Sequence, residues 1–158
     1  MLRKVLKGKQ VFIDTNIYIY VAIKHPDFFN RCYRVLRMLV EREFRGYGSK
    51  FVLFELFGAL SKIDPTAAYE ASHYYLNLPL KNLDMDREAL KLARDIAARS
   101  GTTYDAIHAA IMMRNNITVI VTEDLDDWLK IQNVWTEIAR KHKLDLRLLE
   151  VFAPSKDL

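Results

Sequence analysis

The chain has 158 residues, 51% of them hydrophobic and 28% charged, a composition that excludes an intrinsically disordered protein and suits one globular domain. Its longest apolar runs fall short of the roughly 20 residues that a membrane helix needs, and the basic first segment lacks the apolar core of a signal peptide, so a cytoplasmic protein is expected. The net charge of +4 permits a polyanionic partner but does not identify one. We expect one domain over residues 1–153 and a disordered tail over residues 154–158.

The predicted elements alternate between strands and helices. Residues 10–14 and 117–121 predict buried strands, because both runs are apolar without polar alternation, and residues 80–84 and 146–152 predict two more. No clear strand precedes Glu55. Helices are predicted directly after Asn16 and at residues 28–44, 51–62, 66–78, 86–98, 103–114 and 127–142. Because short connections separate the elements, we expect an α/β fold with a parallel sheet covered by helices on both faces.

Two acidic side chains follow predicted strands. Asp14 ends the first strand, and Asp124 comes just past the strand at residues 117–121. Ligands of open parallel sheets bind at the carboxyl ends of the strands, so both acids are expected at the same edge. Taken singly, each is explained equally well as a helix cap, because an aspartate that opens a helix satisfies free N–H groups.

Glu55 is the only polar side chain in "FVLFELFGAL", residues 51–60. That helix is apolar nearly all round, so it is expected to be largely buried. A buried carboxylate is costly unless it is neutralised, hydrogen-bonded or placed on a cation. Glu55 is therefore a candidate metal ligand, and a buried ion pair or a side chain that reaches solvent at the helix edge is the alternative.

Asp105 lies near the start of the helix predicted over residues 103–114. Thr102, three residues earlier, gives it a capping-box pattern, which is a purely structural explanation. Small apolar residues follow, so Asp105 also sits where a closely packed helix begins. His108 lies on the same side one turn later, and we interpret it as a packed, hydrogen-bonded histidine rather than as a ligand or base.

Four acids on four separate elements, with no cluster of Cys or His near them, predict a hard-cation site that suits Mg²⁺ or Mn²⁺ rather than zinc. Without a cation the carboxylates would repel one another, and at least one would take up a proton. Asp84 and Asp86 resemble a paired-carboxylate motif but precede a helix, where capping explains them. Which of Asp124, Asp126 and Asp127 would ligate a metal directly stays open.

Four segments together resemble the PIN-domain nucleases, especially the small prokaryotic type that includes the VapC toxins: "VFIDTN", "FELFGAL", "TTYDAIHAA" and "VIVTEDLDDW". The resemblance implies a Rossmann-like α/β/α three-layer sandwich, a Mg²⁺- or Mn²⁺-dependent ribonuclease activity and a homodimer. Carried over by position, it implies that the catalytic and metal-binding residues are Asp14, Glu55, Asp105 and Asp124. The supporting polar groups would be Thr15, Asn16, Thr122 and Asp127. Trp128 stands where the family often has Phe.

The predicted reaction is hydrolysis of RNA phosphodiester bonds by a metal-activated water, in the toxin of a toxin–antitoxin pair whose partner is a small antitoxin protein. Arg31, Arg34 and Arg37, spaced three apart, are candidate contacts to the RNA backbone, although a solvated helix face explains them too. Two alternatives fit the same residues: a housekeeping RNA-processing nuclease, and a non-catalytic module that binds RNA or protein. A haloacid-dehalogenase-like site is disfavoured, because it would need a second aspartate where Asn16 stands.

Overall fold

The computed structural model describes residues 1–157 as a three-layer α/β/α structure around a parallel sheet. The strands are β1 (Gln10–Ile13), β2 (Arg45–Ser49), β3 (Leu80–Leu83), β4 (Val119–Val121) and β5 (Glu150–Phe152). The helices are α1 (Leu2–Leu6), α2 (Thr15–Ala22), α3 (Phe29–Val40), α4 (Lys50–Ser61), α5 (Pro65–Asn77), α6 (Arg87–Ser100), α7 (Tyr104–Arg114), α8 (Leu125–Lys141) and α9 (Pro154–Asp157).

The sheet has the order β3-β2-β1-β4-β5, and every neighbouring pair is parallel. The central strand β1 is fully buried from Val11 to Ile13, as is expected of a strand with helices on both of its faces. β4 lies beside it, with Ile13 opposite Val121. The predicted α/β fold with a parallel sheet is confirmed, and the chains that leave β1 and β4 emerge next to each other at the carboxyl edge.

Strand β2 lies where no clear strand was expected. Its sequence, "RGYGS", has low strand propensity, but packing requires its two glycines. A Cβ at Gly46 would collide with the side chain of Leu39 on α3, and a Cβ at Gly48 would collide with the hydroxyl of Tyr75 on α5. The two glycines therefore let α3 and α5 approach the sheet, and α3 ends earlier than predicted, at Val40.

Two other regions differ from the sequence prediction. The first residues form the short helix α1, which buries Leu2 and Leu6. Residues 154–157 of the expected disordered tail form α9, where the backbone N–H and the hydroxyl of Ser155 donate to Glu123 at 2.7 and 2.6 Å. Leu158, the last residue of that tail, lies outside the described residues. Among residues 1–157, no helix has the length and apolarity that crossing a bilayer requires.

Helix α4 is less buried than its apolar sequence suggests. Phe54 is 70% exposed and Phe57 is 46% exposed, whereas Val52, Leu56 and Leu60 are buried. The helix packs on α2 and α5 and leaves one apolar side open, so its sequence does not report complete burial. This open side lies beside the acidic residues described next.

Candidate metal centre

The candidate site is built where β1 and β4 end. The backbone N–H of Asp14 donates to the carbonyl of Val121 at 3.0 Å, which continues the pairing of the two strands by one residue. The hydroxyl of Thr122 then donates to Asp14 Oδ2 at 2.7 Å. The side chains that follow the two strands are thus joined directly, as the rule for carboxyl edges of parallel sheets predicts.

Asp14 is a buried carboxylate, 3% exposed, that is held from several directions. It is the N-cap of α2, because its Oδ1 accepts the N–H of Thr15 at 2.8 Å. Its Oδ2 accepts from Thr122, from Asn16 Nδ2 at 3.2 Å and from Trp128 Nε1 at 3.0 Å. The capping interpretation and the site interpretation of Asp14 are therefore compatible, since the residue caps the helix and also has a carboxylate oxygen within 4.8 Å of ligand atoms of Asp105 and His108.

Trp128, which stands where the family often has Phe, takes part in the site. In the structure it is fully buried on α8, and its indole N–H reaches Asp14. A phenylalanine could not donate this hydrogen bond. The signal in the sequence was the tryptophan itself, because a buried indole N–H usually finds an acceptor.

The side chains of the candidate site form two close groups that share Asp105. One group is Asp14, Asp105 and His108, and the other is Asp105, Asp124 and Asp127. In the second group, one carboxylate oxygen of each residue lies within 4.8 Å of the others, and Asp105 also lies within that distance of ligand atoms of Asp14 and His108. Asp124 caps α8 by accepting the N–H of Asp127 at 3.4 Å, and its own N–H donates to Thr122 at 3.0 Å. Asp105 is thus the side chain that links the two groups, and three of the four predicted acids meet at this edge.

The carboxylates of the cluster repel one another, and this repulsion shows in the pKa of Asp105. Burial and the negative charges of Asp14 and Asp124 raise the pKa of Asp105 to about 9. The capping box predicted for this residue does not form, because Thr102 shares its hydroxyl with Ser100 at 2.8 Å and the cap of α7 has no side-chain hydrogen bond. Asp105 therefore has no local structural role that explains its place.

Glu55 joins the site through His108 and Thr15 and not through the aspartates. Among residues 1–157, its carboxylate belongs to neither set of close ligand atoms. Its Oε1 accepts from the hydroxyl of Thr15 at 2.8 Å and contacts Nε2 of His108, and its side chain is 32% exposed. The expectation of a largely buried Glu55 was wrong, because α4 lies at the open side of the cavity.

His108 contributes more than sequence reasoning gave it. Its ring is 1% exposed, and its Nδ1 has no hydrogen-bond partner within the described part of the chain. Burial opposes the charged form of the ring, but the hydrogen bond that Nε2 donates to Glu55 and the charge of Asp14 raise the pKa of His108. Burial likewise opposes ionisation of Glu55, yet His108 lowers the pKa of that carboxyl. The two side chains form an ion pair at the wall of the cavity.

The supporting polar residues form one network between the strand ends. Asn16 Nδ2 donates to the hydroxyl of Thr122 at 3.1 Å, and its Oδ1 accepts the N–H of Glu123 at 3.1 Å. Thr122 is fully buried and contacts both Asp14 and Asp124. These bonds fix the loop after β4 against the first turn of α2, and so hold Asp14 and Asp124 in place.

Comparison of the sequence with protein-family models identifies the family of this chain. A family model described as the PIN domain matches residues 11–134. The chain belongs to the PIN domain family. No curated protein is significantly similar to it in sequence.

Three solved structures are similar to this PIN domain in fold. VapBC2 from Rickettsia felis bound to a promoter DNA fragment has a TM-score of 0.61 at 18% identity, covering 91% of this chain and 98% of the other. DNA-bound VapBC from Salmonella typhimurium has a TM-score of 0.62 at 19% identity, covering 92% and 98%. PAE2754 from Pyrobaculum aerophilum has a TM-score of 0.53 at 17% identity, covering 84% and 98%.

The arginines suggested as RNA contacts lie away from the acidic cavity of this PIN domain. That cavity has a volume of about 680 Å³, and its lining includes none of the three. Arg31 donates to the carbonyl of Ser155 in α9, Arg37 pairs with Glu41 at 3.0 Å, and Arg34 lies in a shallow depression on α3. The solvated-face interpretation of this helix fits their positions better than contact with a substrate at the cluster.

Asp84 and Asp86 also lie outside the cluster. Asp86 caps α6 by accepting the N–H of Ala89 at 2.8 Å, as predicted. The side chain of Asp84 is 83% exposed and lies 3.8 Å from Lys50.

Proposed function

We propose that this PIN domain is a Mg²⁺- or Mn²⁺-dependent endoribonuclease that hydrolyses RNA phosphodiester bonds and acts as the toxin of a toxin–antitoxin pair. The observation that carries the proposal is the convergence of Asp14, Asp105 and Asp124, from three separate elements, on one cavity. Family membership supports a nuclease, and the acidic ligands support a metal-dependent one.

The donor set fits a hard divalent cation. Carboxylate oxygens are the ligands that Mg²⁺ and Mn²⁺ prefer, and the raised pKa of Asp105 marks a position where positive charge is missing. Asp14, Asp105 and Asp124 would hold the ion, with Asp127 next to them. When bound, the ion lowers the pKa of a coordinated water and neutralises charge on the phosphate.

The residues around the ligands supply orientation and a place for a proton. Thr122 and Trp128 both donate hydrogen bonds to Oδ2 of Asp14, and these bonds fix the orientation of the carboxylate. Both hydrogen bonds to Glu55 go to Oε1, which leaves Oε2 for a cation or for the proton of the attacking water. We therefore keep Glu55 among the proposed catalytic residues, as a neighbour of the aspartate cluster.

The toxin role and its partners rest on the similarity in fold. Two of the similar structures are VapBC proteins bound to DNA. For this chain we propose a small antitoxin protein as partner and a homodimer as its own assembly. Expression of the wild-type chain should arrest growth, and co-expression of a small DNA-binding protein encoded beside it should restore growth. A chain that cleaves RNA without arresting growth would favour the housekeeping nuclease.

The nuclease proposal is tested with the purified chain and RNA in Mn²⁺ or Mg²⁺. We expect cleavage that EDTA abolishes and that Asp105→Asn lowers by about 100-fold or more, because loss of a ligand that orients a metal costs several kcal/mol in the transition state. Asp84→Asn is the matched control, since Asp84 is an exposed aspartate outside the cluster, and it should cleave like the wild type. Cleavage that persists in Asp105→Asn or in EDTA would contradict the proposal, and RNA binding without cleavage would indicate the non-catalytic module.

A further inference from the structure

The acidic cavity has an apolar rim that the metal centre does not explain. Phe54 on α4 is 70% exposed and Tyr104, the first residue of α7, is 66% exposed. Both rings line the same cavity as Asp14 and Asp105. Tyr104 directly precedes Asp105, and Phe54 directly precedes Glu55, so each exposed ring is attached next to one of the acids.

Gly58 gives an independent sign of a ligand at this rim. It lies inside α4, where a glycine destabilises a helix relative to alanine, and its backbone has no positive φ that would require glycine. A Cβ added there would meet no atom within 4 Å, so no neighbour in the fold requires its absence either. Gly46 and Gly48 make room for protein side chains, whereas the space next to Gly58 is open and Gly58 lines the cavity.

The spacing on α4 puts three features in a row. Phe54, Gly58 and Lys62 are four residues apart, so they lie along one side of the helix, and all three line the cavity. Lys62 is exposed and makes no salt bridge among residues 1–157. This order matches the parts of one nucleotide. The base would stack on the ring of Phe54 and lie over Gly58, and the phosphate would lie near the ammonium group of Lys62.

We propose that Phe54 and Tyr104 stack on unpaired bases beside the phosphate that is cleaved, that Gly58 leaves the space for the base next to Phe54, and that Lys62 contacts the backbone. We refer to these four residues as the base slot. The inference rests on the proposed nuclease function and adds the residues that select the substrate. Bases in a duplex already stack on both faces, so the base slot admits only a single strand.

The binding test uses an Asp105→Asn background, which keeps the RNA intact, and a short single-stranded RNA that carries 2-aminopurine. Loss of either ring, in Phe54→Ala or Tyr104→Ala, should weaken binding by roughly 5- to 150-fold and remove part of the fluorescence quenching, since base–aromatic stacking has that range. Phe57→Ala and Tyr69→Ala are matched controls, because both remove exposed rings that do not line the cavity, and they should bind like the parent.

Gly58 separates a role in binding from a role in folding. Gly58→Ala should raise the melting temperature, because alanine favours the helix and its Cβ faces open space. Gly58→Leu should fill the base slot and weaken RNA binding as strongly as loss of a ring. A lower melting temperature in Gly58→Ala would mean that the fold itself needs the glycine, and would contradict this part of the inference.

A phosphodiester without any aromatic ring, a short oligoribonucleotide made of abasic residues, separates the base slot from the metal centre in chains that keep Asp105. With Mn²⁺, the ring variants should hydrolyse it at the wild-type rate while their KM for RNA rises. If the variants bind and cleave RNA like the wild type, the base slot is overturned. If they lose the base-free reaction as well, they disturb the cluster and the base slot is again overturned. A wild type that hydrolyses neither substrate would contradict the nuclease, and the binding experiment would still decide the base slot.

Discussion

Two aspartates of this molecule, Asp95 and Asp105, differ in the charges of the side chains that surround them. Asp95 on α6 is 7% exposed and accepts from His142 Nε2 at 2.7 Å, from Arg94 Nε at 3.0 Å and from Lys141 Nζ at 3.1 Å. Asp105 on α7 faces other aspartates instead. Asp95 is paired with basic side chains of the chain itself, whereas the ligand atoms close to Asp105 belong to three aspartates and one histidine, His108.

The pKa values of these two aspartates shift in opposite directions. Burial alone would raise the pKa of Asp95, but the hydrogen bonds from His142 and Arg94 outweigh burial and hold it well below its usual range. For Asp105, burial and the neighbouring carboxylates act together and raise the pKa to about 9. A cluster that the fold neutralises stabilises the structure, whereas a cluster with few counter-charges fits the divalent cation proposed above.

The largest expected effect is on catalysis at Asp14. Asp14→Asn should lower RNA cleavage about 1,000-fold, because a ligand carboxylate is lost, and should also destabilise the fold by about 1–3 kcal/mol. Destabilisation follows because the new amide would turn N–H groups toward donors such as Trp128 and Thr122. Cleavage assays and urea unfolding measure the two effects. A variant as stable as the wild type would show that the hydrogen bonds to Asp14 contribute little.

The next largest effect is on stability at the Asp95 cluster. Asp95→Ala should lower the free energy of unfolding by about 2–3 kcal/mol, less than for a fully buried ion pair, because Arg94 and Lys141 can return to solvent. Asp145→Ala, at an exposed position, is the control for loss of one negative charge. RNA cleavage should be unchanged in both. A nuclease defect in Asp95→Ala would break the separation between the two clusters.

The acidic cluster should show the opposite stability change. In EDTA, Asp105→Asn should raise the free energy of unfolding by about 1–2 kcal/mol, because it removes a carboxylate that its neighbours disfavour. With saturating Mn²⁺, the wild type should recover the difference, since it binds the ion and the variant binds it weakly. If the variant is less stable than the wild type in EDTA, the cluster is not strained by repulsion.

The pH dependence of stability sharpens the same contrast. The contribution of Asp95 is present above its usual pKa near 4 and is lost as the pH falls below it, because the folded pKa is lowered. For metal-free Asp105 the folded pKa is raised, so stability is lost as the pH rises from about 4 toward 9. The free energy of unfolding in EDTA should be measured as a function of pH. In Asp95→Ala its dependence on pH below about 4 should change, and in Asp105→Asn its decrease between about pH 4 and pH 9 should become smaller. Identical slopes in wild type and Asp105→Asn would contradict the raised pKa.

The smallest expected effect concerns Trp128. Trp128→Phe should cost about 1 kcal/mol of stability or less and should weaken Mn²⁺ binding several-fold, because Asp14 loses one of the donors that orient it. Trp135→Phe is the control, since the indole N–H of Trp135 donates to the carbonyl of Arg147 at 3.1 Å, away from the site. Equal metal affinity in both variants would show that Trp128 only fills the core.

The sequence was sufficient for the fold class and for the edge at which the acids meet. Apolar runs ending in Asp14 and just before Thr122 define two parallel strands, and the carboxyl-edge rule brings their side chains together. It was not sufficient where tertiary packing decides the outcome. The glycines of β2 make sense only once Leu39 and Tyr75 are in place, and the partial exposure of Glu55 depends on which side of α4 stays uncovered. The indole of Trp128 reaches Asp14 across 114 positions of sequence, which no local pattern reports.

The central claim, that the aspartate cluster binds a divalent cation in exchange for a proton, is tested most directly by calorimetric titration with Mn²⁺. Titrations near neutral pH in two buffers of different ionisation enthalpy give both the affinity and the number of protons released. The account predicts saturable binding to the wild type with release of about one proton, and weaker binding without that release in Asp105→Asn. Absence of Mn²⁺ binding by the wild type, or equal binding and proton release in the variant, would contradict it.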